Sequence, residues 1–143
     1  MTFRSFLKAL LFTAVISGVN FVHAAKPIVR SIKFGSTGGF TGGGTYWKLE
    51  ENGKLTGQSF TTPTSTKDLP TKNIDKATVE EVFHYATQLE KYSYHKPGNL
   101  TVSVSIIFDT HMQKMTWAMR ESKVDIRARN LYSKLMALTR DEQ

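Results

Sequence analysis

No cysteine occurs in the chain. That excludes disulfides, a thiol nucleophile, a thiolate-bound metal and a lipidated cysteine behind a leader. Whatever folds here is held by its core alone. Acidic surplus is also missing: 19 Lys and Arg stand against 12 Asp and Glu, a net charge of +7. The bases are spread along the chain instead of clustered, so nucleic acid is not an expected partner. Long apolar runs are missing after the first residues. The uncharged run from Ala9 to Ala25 is broken by Ser17, Gly18, Asn20 and His23. It falls short of the roughly 20 apolar residues of a spanning helix. With Arg4 and Lys8 ahead of it and "VHA" at Val22–Ala24, it reads as a secretory leader, 1–24, cut after Ala24. A retained anchor is the alternative. Cleavage removes two positive charges and leaves no membrane span. Residues 25–143 then form one domain, long enough to bury roughly 65% of its unfolded surface.

Alternation and turn signals predict the elements. "PIVRSIKF", Pro27 to Phe34, reads as a strand with Ile28, Arg30, Ile32 and Phe34 on one face. Its charges suggest a sheet edge. "TYWKLEENGKLTGQSF" reads as a hairpin of Thr45–Glu51 and Lys54–Phe60, with Asn52-Gly53 as a type I′ turn. Thr61 to Asn73 has two prolines and little apolar content, and reads as a linking loop. Thr78 and Glu81 fit a capping box, opening a helix with Val79, Val82, Phe83, Ala86 and Leu89 on one stripe. "KPGN", Lys96 to Asn99, ends it.

"LTVSVSIIF" alternates cleanly from Leu100 to Phe108, with Thr101, Ser103 and Ser105 facing water. It pairs with "KMTWAM", where Met115, Trp117 and Met119 are in phase. "SKVDIRARNLYSKLMAL" closes the chain as a helix with Val124, Ala128, Leu131, Leu135 and Leu138 buried. Strand, hairpin, helix, hairpin, helix makes an α+β domain: an antiparallel sheet of about five strands with two helices on one face. Trp47 and Trp117 are core candidates by strand phase.

Six glycines fall between Gly35 and Gly44, with Phe40 among them. No three have the spacing of a dinucleotide loop. Gly38 and Gly43 are five apart, but Gly44 stands where a P-loop needs Lys. The segment leads into a strand, so no helix N-terminus is there to hold a phosphate. It is expected to be a wide connection between two strands. The sharper reading makes it a recognition tip: Gly38, Gly39, Phe40, Thr41 and Gly42, with Tyr46 beside them, as the binding residues.

Catalytic signals are thin. His84, His95 and His111 share no metal spacing, and neither HExxH nor GxSxG occurs. His84 lies one turn from Glu80 and Glu81, the pattern of a solvated helix face. Asp109 and His111 meet a serine only by chance of folding. Lys123, Arg127 and Lys134 make a basic stripe on the last helix, which reads as a solvated face or a contact for an acidic partner or lipid headgroups. Asn99-Leu100-Thr101 is a sequon, relevant in a eukaryotic source.

The segment "IKFGSTGGFTGGGTYWKLEENGKL", the "KPGN" turn, the Trp strand and "LYSKL" together resemble a family of small exported proteins of Bacteroidota-type bacteria. The resemblance spans most of residues 25–143 and is most specific at Phe34-Gly35, Gly38–Gly42 and Pro97–Asn99. Many such proteins carry a lipobox cysteine, which this chain lacks. The resemblance implies an envelope location and no particular activity. The expectation is a non-catalytic binding module, periplasmic or extracellular, with no cofactor or metal, whose partner is a protein or envelope component. A small hydrolase using His and carboxylate groups, or a secreted inhibitor of another protein, are the alternatives.

Overall fold

The computed structural model describes residues 25–40, 42–62 and 64–141. The leader assigned to residues 1–24 lies outside them, as does Thr41. Among the described residues the chain runs β1 (Val29–Gly38), β2 (Gly44–Glu50), β3 (Lys54–Thr62), β4 (Ser65–Asn73), α1 (Lys76–Thr87), β5 (Tyr94–Lys96), β6 (Leu100–Phe108), β7 (Met112–Ala118) and α2 (Ile126–Leu138). One seven-stranded sheet has the order β4-β3-β2-β1-β6-β7-β5. Its neighbours are antiparallel except β5 and β7, which are parallel. The class is α+β as expected, with seven strands in place of about five.

The core forms where strand phase aligns across the ladders. Phe34 pairs with Trp47 on one side and Val104 on the other, and Val104 pairs with Met115. Ile32, Leu49, Leu55 and Ile106 make the neighbouring row. Val79, Val82 and Ala86 of α1 and Ala128, Leu131 and Leu135 of α2 join these residues in one cluster. Both helices therefore cover the same face of the sheet. Trp47 and Trp117 are buried, and Trp117 meets the edge of Tyr132 at 6.0 Å. Each fully buried side chain of this size contributes about 1.5–3 kcal/mol.

Several expectations need correction. β1 is the centre of the sheet, not an edge, with β2 and β6 on its flanks. Its register shifts between Val29 and Ser31. The extra residue reverses the alternation there, burying Val29 and leaving Ile28 exposed. Thr61–Asn73 is no linking loop: it completes β3 and forms β4. β4 is nearly all exposed and carries Pro70 on the outer edge, so no apolar period marks it. "Tyr-His-Lys" at 94–96 is a short strand where a loop was expected.

The Asn52-Gly53 turn is also different. Among the described residues no non-glycine has positive φ, so Asn52 cannot take part in a type I′ turn. Gly53 alone is left-handed, at φ 87°, and its amide donates to the Glu50 carbonyl at 2.9 Å. That is a three-residue loop ending in a left-handed glycine. The first helix is capped by Asp75, not Thr78. The Asp75 carboxylate accepts from the Thr78 amide at 2.9 Å and its hydroxyl at 2.6 Å. The helix ends at Thr87, well before "KPGN". The last helix starts behind Asp125, whose carboxylate accepts from the Arg127 amide at 2.8 Å, so Ser122, Lys123 and Val124 precede it.

Candidate functional site

The glycine segment is the turn of the β1–β2 hairpin. Pairing ends at Thr37 opposite Gly44. Beyond it the Gly38 amide donates to the Gly43 carbonyl at 2.9 Å, and the Gly42 amide to the Gly39 carbonyl at 3.2 Å. A third bond ties the turn sideways: the Gly39 amide donates to the Asn99 carbonyl at 2.8 Å. The two motifs singled out in the sequence, the glycine tip and "PGN", thus touch. Only glycine fits at 38, where φ is 110° and an added Cβ would lie 2.0 Å from the Asn99 oxygen.

On this anchored turn Phe40 is fully exposed. Leu100 approaches the turn from the other side: a Cβ at Gly39 would meet its side chain at 3.3 Å. Met119, whose amide donates to the Leu100 carbonyl at 2.9 Å, is exposed at the same end. Leu100 and Met119 were not expected as site residues. Strand phase assigns both to the core face, but they lie where the helices no longer cover it. Tyr46 is placed elsewhere. It pairs with Gly35, two rungs inside the ladder, and stacks on Phe60 at 5.6 Å between ring centres.

Tyr46 belongs to the face of the sheet that the helices leave open. A shallow basin of about 670 Å³ lies there. Lys33, Lys48 and Lys114 line it, with Ser103, Ser105 and Gln58. The ladders set these in rows. Lys48 is opposite Lys33, Lys33 opposite Ser105, and Ser105 opposite Lys114. Lys48 bonds Glu50 at 2.9 Å, which holds the Glu50 carboxyl below the usual carboxylate range. Gln58 donates to Asp68 at 2.9 Å. Lys33 and Lys114 form no ion pair among the described residues. Sequence reading missed this cluster because its lysines sit on three strands far apart in the chain. No local signal marks it, because the row exists only once β1 lies beside β6.

The histidines remain scattered. His95 Nδ1 bonds the Thr116 hydroxyl, and His111 Nδ1 bonds the Thr110 hydroxyl at 2.9 Å while its ring stacks on Phe108. Neither has a carboxylate partner among the described residues, which the hydrolase alternative requires. His84 is exposed on α1. No group of three His, Asp or Glu is placed to hold a metal among the described residues. The basic stripe does not stand as one. Lys123 lies outside α2, Arg127 is bound by Asp125 at 2.6 Å, and Lys134 reaches Glu81 of α1 at 2.9 Å. The Arg127 guanidinium and amide hold the Asp125 carboxyl below its ordinary range. No described helix is long and apolar enough to cross a membrane. No family model and no curated protein matches the chain.

Proposed function

We propose that this chain is a non-catalytic binding module, exported to the bacterial envelope, that engages a protein or other envelope component through the end of the sheet bearing Phe40. One observation carries the reading: a fully exposed phenylalanine stands on a turn hydrogen-bonded to a second loop. Leaving a large aromatic in water is unfavourable, and apolar side chains grouped at one end of a domain suit a partner's pocket. An anchored turn loses little freedom on docking, so more of the contact energy appears as affinity. Recognition sites built on loops held by a rigid sheet follow the same logic.

The same anchoring favours a second reading, a secreted inhibitor whose tip fills another protein's cleft. One experiment addresses both. The tagged protein and its Phe40→Ala variant are cross-linked in the host's envelope and captured. A partner held by the first and lost by the second supports the tip as the recognition element. Equal capture by both moves binding off the tip. If the captured partner is an enzyme, its activity with and without the protein separates inhibitor from plain ligand.

A further inference from the structure

We propose that the open face of the sheet is a second, independent binding site, for an acidic saccharide. The argument begins with an arrangement that costs stability. Lys33 and Lys48 are directly opposite on adjacent antiparallel strands, about 5 Å apart at Cα. Like charges so placed repel. Lys114 continues the row two strands beyond Lys33, about 10 Å away. Glu50 answers Lys48. Nothing among the described residues answers the other two, although a carboxylate in place of Ser105 would lie between them.

The spacing selects among anions. A single phosphate needs donors that converge on one point. Here the charges are strung across the strands, which suits a linear ligand with acid groups along its length. The rest of the basin suits sugar. Tyr46 presents a half-open ring backed by Phe60, an apolar plate for the C–H face of a pyranose. Ser103 and Ser105 offer hydroxyls, and the Gln58–Asp68 pair offers a planar donor and acceptor set at the far side. A basin of about 670 Å³ is within the range of small-molecule sites. The tip at Phe40 takes no part, so this inference does not rest on the proposed function.

The test is a titration of the protein with an oligogalacturonate, a hyaluronan oligosaccharide and a heparin-derived oligosaccharide. A neutral oligosaccharide, inorganic phosphate, single-stranded DNA and anionic vesicles run beside them. Amide shifts at Lys33, Tyr46, Ser103 and Lys114 report binding at the basin. At least one acidic sugar is expected to bind, with affinity falling as salt rises. Lys33→Gln with Lys114→Gln is expected to weaken it about tenfold or more, a loss on the scale of two charged contacts. Tyr46→Ala weakens it further, and Phe40→Ala leaves it unchanged. All four replaced side chains are exposed, and a thermal melt confirms that each variant folds. Failure of every acidic sugar overturns the proposal. So does equal binding of the neutral sugar, or binding that ignores the lysine changes. Phosphate, DNA or vesicles binding as tightly, with the same lysine dependence, would make the face a general anion surface and overturn the saccharide assignment.

Discussion

Along β6, Val102, Val104, Ile106 and Phe108 point under the helices, while Thr101, Ser103, Ser105 and Ile107 point to the open side. The same alternation runs through β1, where buried Phe34 follows exposed Lys33. Yet the two faces obey different economies. The covered face gathers side chains that agree with each other, row upon row. The open face sets lysine against lysine and leaves hydroxyls facing the basin. One face is organised for holding the fold together; the other gives up a little of that stability. Such local disagreement inside an otherwise consistent sheet is where binding is expected.

The comparison breaks most visibly at adjacent residues. Phe34→Ala is expected to cost about 3–5 kcal/mol, the usual penalty for emptying a buried aromatic site, read by urea unfolding. Lys33→Ala, one residue away on the other face, should change the midpoint hardly at all. If the two cost the same, the faces are not divided as described. Gly38→Ala comes next, at about 1–3 kcal/mol, because it must relieve both the left-handed backbone and the clash with Asn99. Amide exchange at Gly39 should accelerate in the variant, since its bond to Asn99 goes first.

At the start of α2, Asp125→Ala should cost about 1 kcal/mol for the lost cap. Its pH dependence follows in sign. The folded state holds the Asp125 carboxyl below its ordinary value, through Arg127, and that of Asp75 likewise, through Thr78. Their contribution is complete above the ordinary carboxylate range and is lost as pH falls through the depressed folded values. Asp125→Asn should therefore lower stability near neutrality and leave the strongly acid end of a stability–pH curve unchanged, which flattens the acid limb. The smallest effect is the most pointed. Lys33→Thr should stabilise the protein by about 0.2–0.5 kcal/mol at low salt, by removing the repulsion from Lys48, and the gain should vanish at high salt. A loss of stability instead would mean that the lysine row is no burden.

Legibility in the sequence followed burial. β6, β7 and the stripes of both helices were readable because half their residues face a core, and burial imposes a period. β4 was invisible because almost nothing on it is buried. A proline at an edge and a proline in a loop look alike until the neighbouring strand is known. The bulge in β1 reversed Ile28 and Val29, which strict alternation places in the opposite sense. At the candidate site, Phe40 among glycines announced itself locally. Leu100 and Met119 did not, since their exposure depends on where the helices stop. The lysine row was hidden for a deeper reason: it is a property of strand order, and β1 next to β6 cannot be read from either strand alone.

That adjacency has a consequence for how the chain comes together in time. β1 emerges early in synthesis, and with β2, β3 and β4 it can build half a sheet at once. Its other flank waits for β6, and Val29 for Phe108. Until then only α1, of the two helices, can cover Ile32 and Phe34, and β1 shows a free line of backbone groups to any neighbour. Such delayed pairing slows folding. A chain halted after β4 would thus be an adhesive fragment, and the second half of this small protein serves as the chaperone of its first strand.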